Sequence, residues 1–489
     1  MPVRALACLS TRVPGSQSPP FDRDSGTERP EVSKVKLRMN RTRTRWIALV
    51  WLLLCCGISV FGGYSLQRAS PDGMGDFKGV YYAARCLIQH GDPYESGPLR
   101  VYQAEAGDRS RPSAVLHQIL TRYIYLPTAS IFIVPFAMLP WGPAHALWMI
   151  LTAGSLILAA FLMWNLGANC APAISGGLIC FILANGEALF ATGNTAGIVV
   201  SFCVVAVWCF LEERLVPAGI VCLAVSLSIK PHDAGLVWLY FLLAGGVYRK
   251  RALQTLALTV ALGLPSVLWV SHVAPHWVQE LHSNILEDSL RGGPSDPGLG
   301  DAGRTGPSMI INLQSAISVF RDDPRIYNPA SYLVCGALLL VWWVRTLRSR
   351  RSKTGAWLAL AAIVPLTLLA TYHGPYDAKL LLLAVPACAM LWTKGGPIRW
   401  LALLATAAGI VFTADIPLTI LLILTKDLRI STAGLSGQIL TVVLMRPTSL
   451  ILLAMGIFYL CVYVRHDPDQ VEPGKSGELS ETPLAPTLA

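Results

Sequence analysis

Between Trp46 and Val464 the chain alternates long unbroken apolar runs with short polar or proline-rich stretches. A helix needs about 20 such residues to cross roughly 30 Å of hydrocarbon, and inside a bilayer every backbone polar group must be satisfied within the structure. The pattern predicts an all-α polytopic membrane protein with about 10–12 transmembrane helices in one domain spanning 46–464. The runs are continuous and not alternating, which sets aside a membrane β-barrel.

Trp46 to Tyr64 forms the first span, and residues 65–122 then make a long polar loop. Within it, Phe77, Val80, Tyr81, Ala84, Leu87 and Ile88 recur at helical spacing until Gly91, Asp92 and Pro93 stop the pattern. That spacing predicts a short amphipathic helix with one apolar face against a greasy surface and Asp76 at its wet end. A second mixed stretch runs from Tyr102 to Leu120. Three apolar segments follow at 124–139, 143–164 and 173–191, although both ends of this region should lie on one side. The first measures only about 24 Å as a helix and carries Pro127 and Pro135, so it reads as re-entrant or interfacial. A break at Asn185, Gly186 and Glu187 is the competing answer. Residues 273–328 form a second large Gly/Pro-rich loop.

The two ends of the chain differ from this middle. Residues 1–45 are rich in Arg, Ser and Pro and read as a disordered basic tail, as 465–489 read as a disordered acidic one. Met39, just before Arg41, Arg43 and Arg45, would serve as an alternative start.

With 53% hydrophobic and 14% charged residues among 489, the composition agrees with the hydropathy pattern. The formal charge of +10 could suggest a nucleic-acid partner. Its distribution argues against one, because Arg41/Arg43/Arg45, Arg249-Lys250-Arg251, Arg345 to Lys353, Lys394 with Arg399, and Arg465 all flank apolar runs. Such clusters mark cytoplasmic loops, which puts both termini inside and residues 65–122 and 273–328 outside. Most of the twelve cysteines fall within apolar runs, without metal-ligand spacing. His272, His276 and His282 lack a cysteine or carboxylate partner at zinc spacing, and no phosphate-binding glycine loop precedes a helix.

On this topology four polar groups fall on the outer face: Asp76; Gly193-Asn194; Lys230 with His232; and His373, Tyr376 and Asp377. Ionisable groups at a membrane domain's edge need water, a partner or a substrate. Glycosyl transfer needs a carboxylate to take the acceptor's proton, a role open to Asp76, which could equally cap its helix. Lys230 could hold a phosphate or snorkel at a helix end. Asp377 could cap the run that follows it, His373 could be structural, and Tyr81-Tyr82 could line a sugar site or belong to an interfacial aromatic belt.

These motifs together resemble glycosyltransferase family 87, the polyprenol-phosphate-mannose-dependent mannosyltransferases of the GT-C fold. The likeness rests on Asp76-Phe77, Tyr81-Tyr82-Ala83-Ala84, Gly91-Asp92-Pro93-Tyr94, Tyr125-Leu126-Pro127, Gly193-Asn194, Lys230-Pro231 and Tyr376-Asp377, in that order over about residues 46–395. Two departures, Gly193-Asn194 for Gly-Gln and Tyr125-Leu126-Pro127 for Tyr-Pro-Pro, bear on the acceptor more than on the reaction. The resemblance implies an inverting enzyme of the plasma membrane that moves mannose from a polyprenyl-phosphate donor to a glycolipid or glycan acceptor on the outer face. Asp76 would be the base; Lys230 and His373 would meet the donor phosphate; Tyr81, Tyr82, Asn194, His232, Tyr376 and Asp377 would line the substrate site. A donor with one phosphate implies no obligatory metal or other cofactor. The rivals are a lipid-linked-sugar transporter or flippase, which would share polar groups between both faces, and a transferase using another lipid-linked sugar such as arabinose.

Overall fold

The computed structural model describes residues 31–70, 72–106, 112–291, 293–298, 310–425 and 434–466. The predicted disorder of 1–30 and 467–489 lies outside them. Contacts divide the chain into a unit Met1–Ile47 and a unit Ala48–Ala489. In the first, residues 31–47 are helical, so the helix begins at Glu31, ahead of its membrane-spanning part at Thr44–Ala69; about half of this stretch is Lys, Arg, Leu or Met, all good helix formers.

Every element among the described residues is a helix. After α1 (Glu31–Ala69) come α2 (Gly75–Ile88), α3 (Gly97–Ala106), α4 (Ala114–Thr121) and α5 (Ser130–Ala137), the last introduced by a 3-10 turn at Pro127–Ala129. Next are α6 (Trp141–Gly167), α7 (Pro172–Leu183), α8 (Glu187–Thr192), α9 (Ala196–Leu211), α10 (Val216–Ile229), α11 (Pro231–Ala244) and α12 (Gly246–Val273). α13 (Trp277–Asp288), α14 (Leu313–Ile317), α15 (Pro324–Arg348) and α16 (Lys353–Ala370) follow. A 3-10 helix at Asp377–Ala384 then enters α17 (Val385–Lys394), and α18 (Gly396–Val411), α19 (Asp415–Thr425), α20 (Leu435–Met445) and α21 (Pro447–Arg465) close the order.

The chain is an all-α polytopic membrane protein. Seven of its described helices are long and apolar enough to span a bilayer, or eight if the bent pair Gly396–Val411 and Asp415–Leu421 is one span. This is fewer than the about 10–12 expected from run length. The shortfall arises because apolar runs are broken into short helices. α9 has 16 residues and α10 and α11 have 14 each, only about 21–24 Å of helix. Their apolar character serves packing: α16, at the centre, is 83% buried over its most apolar window, whereas α12 is 17% buried.

Both competing answers for 123–192 are present in the structure. Pro127–Ala137 is a short apolar helix, too short to cross. The span Pro172–Thr192 is also broken, between Leu183 and Glu187. There Ser59 Oγ donates to the Leu183 carbonyl (2.6 Å) and accepts from Gly186 N (2.8 Å), while the Lys379 ammonium donates to the Asn185 carbonyl. These side chains replace the helical bonds that the break removes.

The first polar loop contains α2, where the periodicity predicts a helix, and also α3 and α4, which bracket and enter the second mixed stretch. α2 is enclosed more completely than an amphipathic surface helix, since Gly79, Tyr82, Ala83 and Cys86 are buried along with the predicted face. Phe77 stacks on Trp148 at 4.5 Å between ring centres and meets Phe136 edge-on. The second large loop is partly helical and is held by buried Arg446, which donates to the carbonyls of Pro297 (2.7 Å), Gly298 (3.1 Å) and Ser315 (2.6 Å).

The basic groups gather at one end of the bundle. Arg251 donates to the Phe210 carbonyl (2.6 Å), Lys353 pairs with Glu212 (2.6 Å), and Arg351 donates to the Ala244 carbonyl (3.2 Å). These contacts join the ends of α9 and α11 to the starts of α12 and α16. The opposite ends of α9, α10, α11 and α16 carry Asn194, Lys230, His232 and His373.

The packing of α1 against α8 is tight enough to test. A Cβ on Gly63 would lie 2.5 Å from Phe190 Cβ and 2.9 Å from the Glu187 carbonyl oxygen, whereas one on Gly57 would meet nothing within 4 Å. In thermal unfolding of the detergent-solubilised protein, Gly63→Ala should destabilise by about 1–3 kcal/mol. Gly57→Ala should be neutral or stabilising by up to about 1 kcal/mol.

Candidate active site

Asp76 occupies the first turn of α2, but the residue flanking that helix is Met74, whose amide donates to the Ala191 carbonyl at 2.7 Å. The Asp76 carboxylate is therefore not the N-cap, and it turns to Asn194, whose Nδ2 donates to its Oδ2 at 2.7 Å. Asp76 is half-buried. Burial first of all raises its pKa above the ordinary carboxylate value, against the opposing pull of the Asn194 hydrogen bond and the Lys230 charge.

Asn194 is fixed from three sides. Its Oδ1 accepts from Ala196 N at 2.9 Å and from Lys230 Nζ at 3.1 Å, which determines which end of the amide faces Asp76. The turn that presents it depends on Gly193, at φ +66°, where a Cβ would lie 2.6 Å from Met74 Cε and 2.8 Å from Phe77 Cβ. Trp148 Nε1 donates to the Gly193 carbonyl (2.9 Å) and holds the turn from behind. Beside it, the Tyr125 hydroxyl lies 3.2 Å from Thr195 Oγ1.

Lys230 stands at the corner between α10 and α11, where Pro231 begins the new helix. Its ammonium bonds Asp377 Oδ1 at 2.9 Å as well as Asn194, and lies 3.8 Å from Asp233 Oδ2 and 5.1 Å from the centre of the Tyr376 ring. Lys230, Asp233, Asn194, His373 and Asp377 are all buried. The cation is thus shared among partners and is not a free point charge awaiting a ligand.

Asp377 opens the 3-10 helix but reaches backward, accepting from Gly374 N at 2.7 Å through Oδ2. Burial, then the neighbouring Asp233 charge, lifts its carboxyl above the usual value despite Lys230. The ring of His373 is completely buried, with Nδ1 3.1 Å from the Thr371 carbonyl and Nε2 3.1 Å from Asp233 Oδ1. Burial would lower its pKa, but the adjacent Asp233 outweighs this and raises it. His232 is the exposed member, 40% accessible, at the rim with Tyr372.

Of the residues singled out from sequence, Asp76, Asn194, Lys230, His232, His373, Tyr376 and Asp377 thus come together. Tyr81 and Tyr82 do not join them. Both are buried among Phe77, Trp141 and Tyr102, and the Tyr81 hydroxyl donates to the Leu139 carbonyl at 2.8 Å. They occupy neither a bilayer belt nor an open pocket. Asp233 was not singled out, because an acid in the first turn of a helix reads as a favourable dipole partner.

Residues 123–293 match the family model of glycosyltransferase family 87. No curated protein and no solved structure matches the chain. The matched stretch holds Tyr125, Asn194, Lys230, His232 and Asp233; the contacts above tie Asp76, His373 and Asp377 to it.

Removing the shared cation should expose how strongly the acids depend on it. Lys230→Met leaves Asp233 and Asp377 buried with no ammonium ion and should destabilise by about 3–5 kcal/mol. Adding Asp377→Asn should recover part of that loss, as read from thermal unfolding of the single and double variants. Full additivity would mean that the two side chains are not coupled.

Proposed function

We propose that the chain, similar to glycosyltransferase family 87 over residues 123–293, is a membrane glycosyltransferase that moves a hexose, mannose on the family resemblance, from a polyprenyl-phosphate donor to a glycolipid or glycan acceptor. Asp76 is the general base, and the reaction runs at the outer face of the plasma membrane with inversion. The observation that carries this reading is the half-buried Asp76 carboxylate, linked through Asn194 to the ammonium of Lys230 at 2.7 and 3.1 Å.

In the proposed step the acceptor oxygen bonds the anomeric carbon as Asp76 takes the hydroxyl proton. The bond from that carbon to the phosphate oxygen breaks, and its electron pair leaves with the polyprenyl phosphate. Negative charge moves from the base toward the leaving phosphate, so positive charge held near both is useful. Lys230 and, from the buried layer behind it, His373, whose nitrogens face Thr371 and Asp233, serve the phosphate through the local field, and Asn194, His232, Tyr376 and Asp377 line the substrate site. Lys230 acts mainly by setting the local field, because its hydrogen bonds are already committed.

Two features of the bundle support the membrane geometry. The polar ends of α9, α10, α11 and α16 lie opposite the ends bearing Arg251, Arg351 and Lys353, and such basic residues favour the cytoplasm. α10 and α11, with 14 residues each, fall roughly 9 Å short of a 30 Å hydrocarbon layer. A site at their ends is recessed below the membrane surface, at a depth suited to a phosphate on a lipid tail.

Transfer from radiolabelled polyprenyl-phosphate-mannose to a membrane lipid extract tests the reading. Asp76→Asn should lower transfer by about 10²–10⁴-fold while donor binding persists. Near-normal turnover in that variant would remove the base assignment; donor binding without transfer in the wild type would move the choice to another lipid-linked sugar. The base must be ionised and its pKa is raised by burial, so kcat/KM should fall on acidification at a higher pH than for an ordinary carboxylate near 4.

A further inference from the structure

Beside the Asp76–Asn194–Lys230 link, three side chains keep unused ligand atoms. His232, Asp233 and His373 offer one such atom each, all within 4.8 Å of one another. His373 Nε2 lies 3.1 Å and His232 Nε2 3.8 Å from Asp233 Oδ1. Asp233 and His373 are completely buried, yet neither carboxylate oxygen of Asp233 nor Nε2 of His373 has a hydrogen bond of good geometry. Buried polar atoms left in this way are costly, and more so when charged.

The tautomer of His373 sharpens the point. Nδ1 faces the Thr371 carbonyl, which can only accept, so Nδ1 carries the hydrogen. In the neutral ring Nε2 is then a bare lone pair aimed at a carboxylate oxygen. The contact is repulsive unless a proton or a metal ion sits between them. Charge balance separates the two. Asp76, Asp233 and Asp377 face the single ammonium of Lys230, a deficit of two positive charges when the acids are ionised. A proton on His373 supplies one; a divalent cation supplies both.

We propose that His232, Asp233 and His373 bind a divalent transition-metal cation, with zinc as the first choice. In a tetrahedral zinc site with bonds of about 2.1 Å, ligand atoms stand roughly 3.4 Å apart, and the observed 3.1 and 3.8 Å bracket that value. Two imidazoles and one carboxylate suit zinc, manganese or iron better than magnesium or calcium, which prefer oxygen ligands. The Thr371 carbonyl orients the His373 ring as outer partners of metal-bound histidines commonly do. His232, at the exposed rim, gives the ion a way in and leaves a coordination position for water or an oxyanion. The ion would pin the start of α11 to the loop 371–376; it departs from the expectation of no obligatory metal that the resemblance implies. His272, His276 and His282 form no comparable group among the described residues.

The test is independent of sugar transfer. Full-length protein without a histidine tag, purified in detergent and stripped with a chelator, is titrated calorimetrically with zinc chloride and spectroscopically with cobalt(II). The wild type should take up one ion per chain, with a visible cobalt band and a zinc-dependent rise in melting temperature. His232→Ala, altering an exposed side chain that the fold does not need, should weaken uptake by more than about tenfold; His373→Asn should do so at least as strongly. No stoichiometric uptake by the wild type would overturn the proposal and leave His373 as an imidazolium paired with Asp233. Wild-type affinity in both variants would overturn it too, by moving the ion elsewhere.

Discussion

A buried ammonium ion needs its counter-charges within a few ångströms, and the site depends on meeting that need for Lys230. Isolated charges lose several kcal/mol of hydration on burial even after relaxation, so Lys230 is tenable only with Asp377 at 2.9 Å, Asn194 at 3.1 Å and Asp233 at 3.8 Å. Those partners come from three parts of the chain, and only Asp233 is local to Lys230 itself. Holding them together requires the turn at Gly193, the corner at Pro231 and the loop before Asp377 to coincide, and this requirement ties the candidate site to the fold.

The scaffold supports the coincidence with short helices around one helix, α16, that is buried over nearly all its length. α16 is apolar on every side and forms the axis, while α9, α10 and α11 stop well short of a bilayer's thickness. Their polar ends are consequently gathered at one depth. Behind the site, the stack of Phe77 on Trp148 and the Trp148 hydrogen bond to the Gly193 carbonyl make α2 part of the same wall as the Asn194 turn. The orientation of Asp76 thus follows from aromatic packing as much as from its own hydrogen bond.

Three acids around one ammonium ion do not form a settled arrangement. Asp76 and Asp377 both have raised affinity for protons through burial, and Asp233 and His373 approach each other without a hydrogen bond of good geometry. Such frustration persists where a substrate, a proton or a metal ion completes the balance. The exposed His232 and Tyr372 are the rim through which a completing group would enter.

Hydropathy alone determined the class of the protein and most of its long helices, because the apolar run needed to cross a bilayer is a local property. The amphipathic α2 and its end near Gly91 were legible for the same reason, as was the polar character of Asn194, Lys230 and Asp377. Helix length was misread wherever an apolar run served internal packing, since hydropathy cannot tell a core from a lipid tail. Asp233 was given no role, and Tyr81 and Tyr82 were read as a sugar-site lining or an interfacial belt. Only the tertiary structure decided these cases: Asp233 meets His373 across 140 positions of chain, and whether an aromatic ring faces lipid, sugar or protein depends on neighbours that no local pattern specifies.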